Sequence, residues 1–172
     1  GALAAGLLPV PTSAQLTGEE ITKMAAQITP AAVVAGTGVA LPDHPPMILT
    51  EADLKRFETL PPCDYALGSA DRLAYIVFTS GTSGSARAVC HAHRAIWARQ
   101  MMHEGWYGLT GSDRILHAGA FNWTYTLGTG LMDPWTVGAT ALIPAPGVEP
   151  AMLPLLLRRF DATIFAAVRG VY

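Results

Sequence analysis

The sequence predicts an α/β domain built on a mostly parallel, doubly wound sheet with helices on both faces, and three observations predict it. Of the 172 residues, 51% are hydrophobic and only 14% charged, a balance that goes with a buried sheet and against disorder or a solvated helical array. Extended runs alternate with amphipathic helical runs along the chain, the order that joins parallel strands through crossover helices. One run, Leu73 to Thr79, places Tyr75, Ile76, Val77 and Phe78 in succession, as a strand buried on both faces does.

Taken in order, the chain opens inside what looks like a helix feeding a strand; Gly1 to Val10 is apolar like a signal core but lacks a positive leader and is broken by Pro9 and Pro11. Thr17 and Glu20 form a capping-box pair ahead of Ile21, Met24, Ala25 and Ile28, which fall at i, i+3, i+4 and i+7 and predict an amphipathic helix. Ala31 to Ala35 then reads as a short buried strand, and Thr50 with Asp53 starts a helix that runs to about Glu58. Residues 36–46 and 60–71, rich in Pro and Gly, are expected to be loops. After the Leu73 strand comes a glycine turn. Ala92 to Trp106 is then helical, with Ala95, Ala98, Met102 and Trp106 on one stripe. Arg114 to His117, Ala139 to Ile143 and Ala162 to Ala166 are predicted strands, and Leu153, Leu156, Leu157 and Phe160 mark a helix before the last of them.

Composition also excludes partners. Eleven Lys and Arg against thirteen Asp and Glu give a net charge of −2, with no basic cluster, which argues against nucleic acid or an anionic membrane surface. No run reaches the roughly 18 apolar residues of a spanning helix. Cys63 and Cys90 lack CxxC spacing and read as free thiols of a reducing compartment, so a cytoplasmic location is expected.

The chemistry concentrates in Thr79-Ser80-Gly81-Thr82-Ser83-Gly84-Ser85-Ala86-Arg87. Its hydroxyl side chains donate hydrogen bonds, and its glycines let backbone N–H groups curl around an anion, as a polyphosphate requires. Arg87 adds a permanent charge suited to bidentate phosphate pairing. The same composition also describes a flexible surface loop, but a buried strand running straight into it favours the anion site. No Gly-Lys pair followed by Ser or Thr makes it a Walker loop. Gly36-Thr37-Gly38 fails as a dinucleotide fingerprint because Leu41 and Pro42 follow, and no GxSxG elbow occurs.

Residues 75–89, YIVFTSGTSGSARAV, resemble the phosphate-binding signature of the adenylate-forming (AMP-binding) superfamily, in its acyl- and aryl-CoA synthetase branch. Thr79, Ser80, Gly81, Thr82, Ser83 and Gly84 match it without a gap. Ala86, Arg87 and Ala88 stand where that pattern has Pro, Lys and Gly. Ala4 to Thr17 is similar to an early segment of the family, and His91 to Arg94 to the stretch opening the helix after the loop. Gly119 to Pro134 resembles the region lining the acyl pocket, with Trp123 matching the aromatic or His position beside the carboxylate and Phe121, Asn122 and Tyr125 as its neighbours.

The resemblance implies ATP, Mg²⁺ and coenzyme A as cofactors and a small carboxylic acid as substrate. It further implies that Thr79, Ser80, Gly81, Thr82, Ser83, Gly84 and Arg87 hold the ATP phosphates, with no covalent protein nucleophile required. The adenine, ribose and late-lysine motifs of the family are absent and are expected beyond Tyr172. Residues 1–172 are therefore expected to be a single excised piece of the family's large N-terminal domain, inactive alone. Cys90, His91, His93, His103 and His117 have no tetrahedral ligand spacing, so no protein metal site is expected, and Cys90, His91 and His93 are read instead as hydrogen bonders at a helix start. The competing reading is a non-catalytic α/β anion-binding or scaffold domain.

Overall fold

A computed structural model describes residues 1–80 and 86–168. The chain divides into two compact units: Gly1–Gly68 with Ala74–Cys90, and Ser69–Leu73 with the chain from His91 on.

In the first unit, α1 (Gly18–Ile28) begins at Thr17, whose hydroxyl accepts from the Glu20 N–H while the Glu20 carboxylate accepts from the Thr17 N–H, the expected capping box. β1 (Ala32–Val34) pairs in parallel with β2 (Met47–Leu49). β1 was expected to be buried, but it is largely exposed, because its ladder is a two-stranded one. β2 was not expected, since Met47, Ile48 and Leu49 are a three-residue apolar run between two prolines, at the end of a stretch that reads as loop, and the helix start at Thr50. α2 (Glu51–Phe57) carries a second capping box on Thr50 and Asp53. The amino-terminal residues do not form the expected helix and strand. One helical turn, Ala5 N–H to Gly1 C=O at 3.0 Å, ends at Gly6, whose φ of 74° favours glycine and stops the helix. β3 (Leu73–Ser80) buries Ala74, Tyr75, Ile76 and Val77 on both faces, and the Ile76 N–H donates to the Pro9 carbonyl at 3.1 Å. β4 (Ala86–Ala92), unseen in the sequence, pairs with β3.

In the second unit, α3 (His93–Ala98) continues through a 3₁₀ segment (Arg99–Met102) and a π-helical turn (His103–Tyr107), the helical stretch expected to Trp106. The N-cap position is Ala92, whose side chain makes no cap hydrogen bond. The backbone N–H groups of His93 and Arg94 donate to the carbonyls of Arg72 and Ala70, which satisfies two of the orphan donors of a helix start. β5 (Arg114–His117) is the buried centre of a parallel sheet, flanked by β6 (Thr140–Leu142) and β7 (Ile164–Ala166). Between β5 and β6 run α4 (Thr124–Leu127), a π-helical turn (Gly128–Met132) and α5 (Asp133–Val137). α6 (Leu153–Arg159), with Pro154 in its first turn, precedes β7.

An ion pair ties these helices together. Asp133 is 1% exposed. Both its oxygens accept from the Arg99 guanidinium at 2.6 Å, and Oδ2 also accepts from the Tyr107 hydroxyl at 2.7 Å. Arg99 also donates to the Thr129 hydroxyl at 3.2 Å. Gly128 lets the guanidinium in, for a Cβ there would lie 2.6 Å from Arg99 Nη2. Burying two charges is compensated only when geometry and added hydrogen bonds are this complete, and removing one partner strands the other. Asp133→Ala is therefore expected to lower the unfolding free energy by about 3–5 kcal/mol in urea denaturation, with Gly128→Ala destabilising in the same direction.

Candidate functional site

The loop predicted to bind phosphate leaves the most deeply buried strand of its unit. β3 carries Thr79, exposed at its end, and closes at Ser80. Gly81, Thr82, Ser83 and Gly84 lie outside the described residues. The chain resumes on β4, where Arg87 is exposed between the half-buried Ala86 and Ala88. The segments on either side of residues 81–85 are thus both strands. A side chain from α1 fixes the outgoing arm. Gln27 Nε2 donates to the Ala86 carbonyl at 2.9 Å, and its Oε1 accepts from the Ala88 N–H at 3.4 Å, gripping the backbone on either side of Arg87.

In the second unit, two of the four predicted pocket residues meet in an aromatic cluster. Tyr125 packs edge-on to Trp123 at 6.3 Å between centroids. It also lies 6.2 Å from Trp106 and 4.9 Å from the imidazole of His117. Trp106 and Trp123 are half-exposed, Tyr125 is half-buried and His117 is wholly buried. Phe121 and Asn122 are half-buried in the turn before α4, outside this group of rings. The sequence placed Trp106 only on a helical stripe and weighed His117 only as a metal ligand. The one available signal was a histidine closing a strand, two residues before a glycine.

His117 Nδ1 accepts from the Gly119 N–H at 3.1 Å. A Cβ at Gly130 would lie 2.6 Å from the His117 Cβ, so that glycine admits the side chain. Burial pushes the imidazole pKa below its usual 6.5, because an enclosed site disfavours the charged ring. Burial first, then the Asp133 carboxylate, hold the Tyr107 phenol far above its usual range, so it stays a neutral donor.

A family model, described as "AMP-binding enzyme", matches residues 1–172. The chain belongs to the AMP-binding enzyme family. It is 34% identical over 77 residues to a 3-hydroxybenzoate/4-hydroxybenzoate–CoA ligase of Thauera aromatica, covering 45% of this chain and 14% of that protein. It is 26% identical over 172 residues to a p-hydroxybenzoic acid–AMP ligase of Mycobacterium tuberculosis, covering 99% of this chain and 24% of that protein. Among solved structures, an acyl-CoA synthetase of Brucella canis superposes with a TM-score of 0.87 at 17% identity, covering 99% of this chain and 34% of that one. A benzoate CoA ligase of Burkholderia xenovorans superposes with a TM-score of 0.82 at 22% identity, covering 95% and 35%. These likenesses establish the shared α/β fold. The chain spans a quarter or less of the length of these two curated relatives.

The His117 shift sets a pH dependence for this AMP-binding fold. In the unfolded chain the ring takes up a proton near pH 6.5, whereas the folded ring does so only at lower pH. Stability is therefore full above about pH 6.5 and declines as pH falls, by up to about 1.4 kcal/mol per pH unit for one such group. Urea midpoints measured at pH 7.5 and 5.5 are expected to differ less in His117→Gln than in the unaltered protein.

Proposed function

We propose that the protein carrying this chain is an AMP-forming acid–CoA ligase acting on an aromatic carboxylic acid, in the cytoplasm, with residues 79–87 as its grip on the ATP phosphates. The observation that carries this reading is the ungapped run Thr79 to Gly84 with Arg87, which follows in sequence on the buried residues Ala74 to Val77 of β3, in a chain matched to the AMP-binding family along its whole length. The relatives named for hydroxybenzoates, at 34% identity over 77 residues and 26% over 172, support the aromatic substrate.

In the first step a carboxylate oxygen of the acid attacks the α-phosphorus of MgATP. The α–β phosphoanhydride bond breaks, and acyl-AMP and pyrophosphate form. In the second, the sulfur of coenzyme A attacks the acyl carbon, the thiol loses its proton, and the mixed-anhydride C–O bond breaks to release AMP. What this chain contributes is electrostatic. Backbone N–H groups and hydroxyls of residues 79–84, with the Arg87 guanidinium, hold the β- and γ-phosphates in line and stabilise the charge that gathers on the departing pyrophosphate. Mg²⁺ enters on the nucleotide. Among the described residues no cluster of three His, Cys, Asp or Glu side chains would hold it separately, and among them no helix is long and apolar enough to cross a membrane. Tyr125, Trp123, Phe121 and Asn122 are assigned to the acyl pocket, where flat rings suit an aromatic acid.

Acid-dependent ATP–pyrophosphate exchange tests this. Benzoate or a hydroxybenzoate is expected to drive exchange, Arg87→Ala to lower kcat/KM on the order of 100-fold, and Arg87→Lys to restore most of it by keeping the charge. Exchange with no carboxylic acid, or an Arg87→Ala protein as fast as the unaltered one, would refute it.

A further inference from the structure

The aromatic cluster is graded in polarity. At its outer side stand the half-exposed Trp106 and Trp123, then the half-buried Tyr125, and innermost His117 and Thr126, both wholly buried. Its two innermost members each present a polar atom with no hydrogen-bond partner among the described residues: His117 Nε2 and Thr126 Oγ1. They are neighbours across Gly119, because a Cβ at that position would touch Thr126 Oγ1 and stand 3.0 Å from His117 Cε1.

The protonation of the imidazole follows from its other contact. Since Nδ1 accepts the Gly119 N–H at 3.1 Å, the single proton of the neutral ring sits on Nε2, leaving Nε2–H as a donor. Burial keeps the ring neutral by lowering its pKa. A buried donor left unmatched carries its desolvation cost without the compensating hydrogen bond. Gly119 and Gly130 nonetheless make room for this ring. The same strand buries the apolar side chains of Ile115 and Leu116, so an apolar residue at its end would have fitted the sheet without that cost.

We propose that His117 Nε2–H and the Thr126 hydroxyl form a polar subsite, inward of Tyr125, that hydrogen-bonds an oxygen substituent on the ring of an aromatic acid substrate. This rests on the aromatic-acid ligase reading above and adds to it a substrate class: a hydroxylated, rather than plain, aromatic acid. A phenolic oxygen accepts from Nε2–H, and its O–H is available to Thr126 Oγ1. The apolar rings meet the flat faces of the substrate, and its carboxylate stays at the outer end, away from the buried polar pair. An unsubstituted ring leaves both polar atoms unmatched, which is how sites built around a substrate hydroxyl reject the analogue that lacks it.

The test compares kcat/KM for acid-dependent pyrophosphate release with benzoate, 3-hydroxybenzoate and 4-hydroxybenzoate, using the protein that carries this chain. One hydroxybenzoate is expected to exceed benzoate by about 10-fold or more. His117→Leu and the near-isosteric Thr126→Val are each expected to cut that ratio by about 3- to 10-fold, while His117→Gln, which keeps an N–H near the Nε2 position, retains part of it. In the unaltered protein, the ¹⁵N resonance of His117 Nε2 is expected to move on binding a non-hydrolysable hydroxybenzoyl-adenylate analogue and not on binding its benzoyl counterpart. Equal use of all three acids, an unchanged ratio in both Thr126→Val and His117→Leu, or an Nε2 resonance indifferent to the hydroxyl, as an ordered water bound there would give, overturns the subsite while leaving the ligase reading intact. Failure to activate any aromatic acid overturns both.

Discussion

A carboxylate with almost no solvent contact needs close polar partners to offset its burial, and Asp133 has them in the second unit, above all the Arg99 guanidinium. The pair joins the helical stretch from His93 to Tyr107 with the helices from Thr124 to Val137; those two segments carry Trp106, Tyr107 and Tyr125, and Trp123 is the N-cap residue of the second. The aromatic cluster is therefore held from behind by an electrostatic clamp as well as by contact between rings. Tyr107 links the two, donating its hydroxyl to Asp133 while its ring meets Trp106 edge-on at 5.7 Å. Small residues make the approach possible: Gly128 for the guanidinium and Gly130 for the imidazole of His117. Precise side-chain placement thus rests on rigid helices and a buried sheet, as a binding site needs.

The first unit solves a different problem. A loop rich in Gly and Ser has much conformational entropy to lose, and holding its two ends lowers that cost. β3 fixes one end through burial of Ala74 to Val77. Pairing with β3 and the double hydrogen bond from Gln27 fix the other.

Local chemistry was legible in the sequence; long-range approach was not. Both capping boxes could be read from Thr17 and Glu20 and from Thr50 and Asp53, because a cap involves only four residues. Arg114 to His117 was read to the residue as a strand, because continuous apolar runs leave little alternative, and Tyr75 to Phe78 as doubly buried, which holds for Tyr75 to Val77 while Phe78 is half-buried. β2 and β4 escaped notice because each is specified by a partner strand, with Met47 to Leu49 hidden after prolines and Ala86 to Ala92 lacking a clear alternation. The helices after Trp123 were obscured by Gly128, Gly130 and Pro134. Gln27, Arg99 and Asp133 gave weaker signals: a charge inside Leu131-Met132-Asp133-Pro134-Trp135 asks for a buried partner, but only the fold says which. The reading of residues 79–87 as an anion cradle came from their composition and the assignment to ATP from the family resemblance; Gly81 to Gly84 lie outside the described residues.

The central claim is that the segment leaving β3 receives the phosphate tail of ATP. A crystal structure of the protein with a non-hydrolysable ATP analogue tests it most directly. The account predicts β- and γ-phosphate oxygens within hydrogen-bonding distance of backbone N–H groups between residues 80 and 84 and of the Arg87 guanidinium; phosphates bound elsewhere, with that segment making no contact to them, would contradict it.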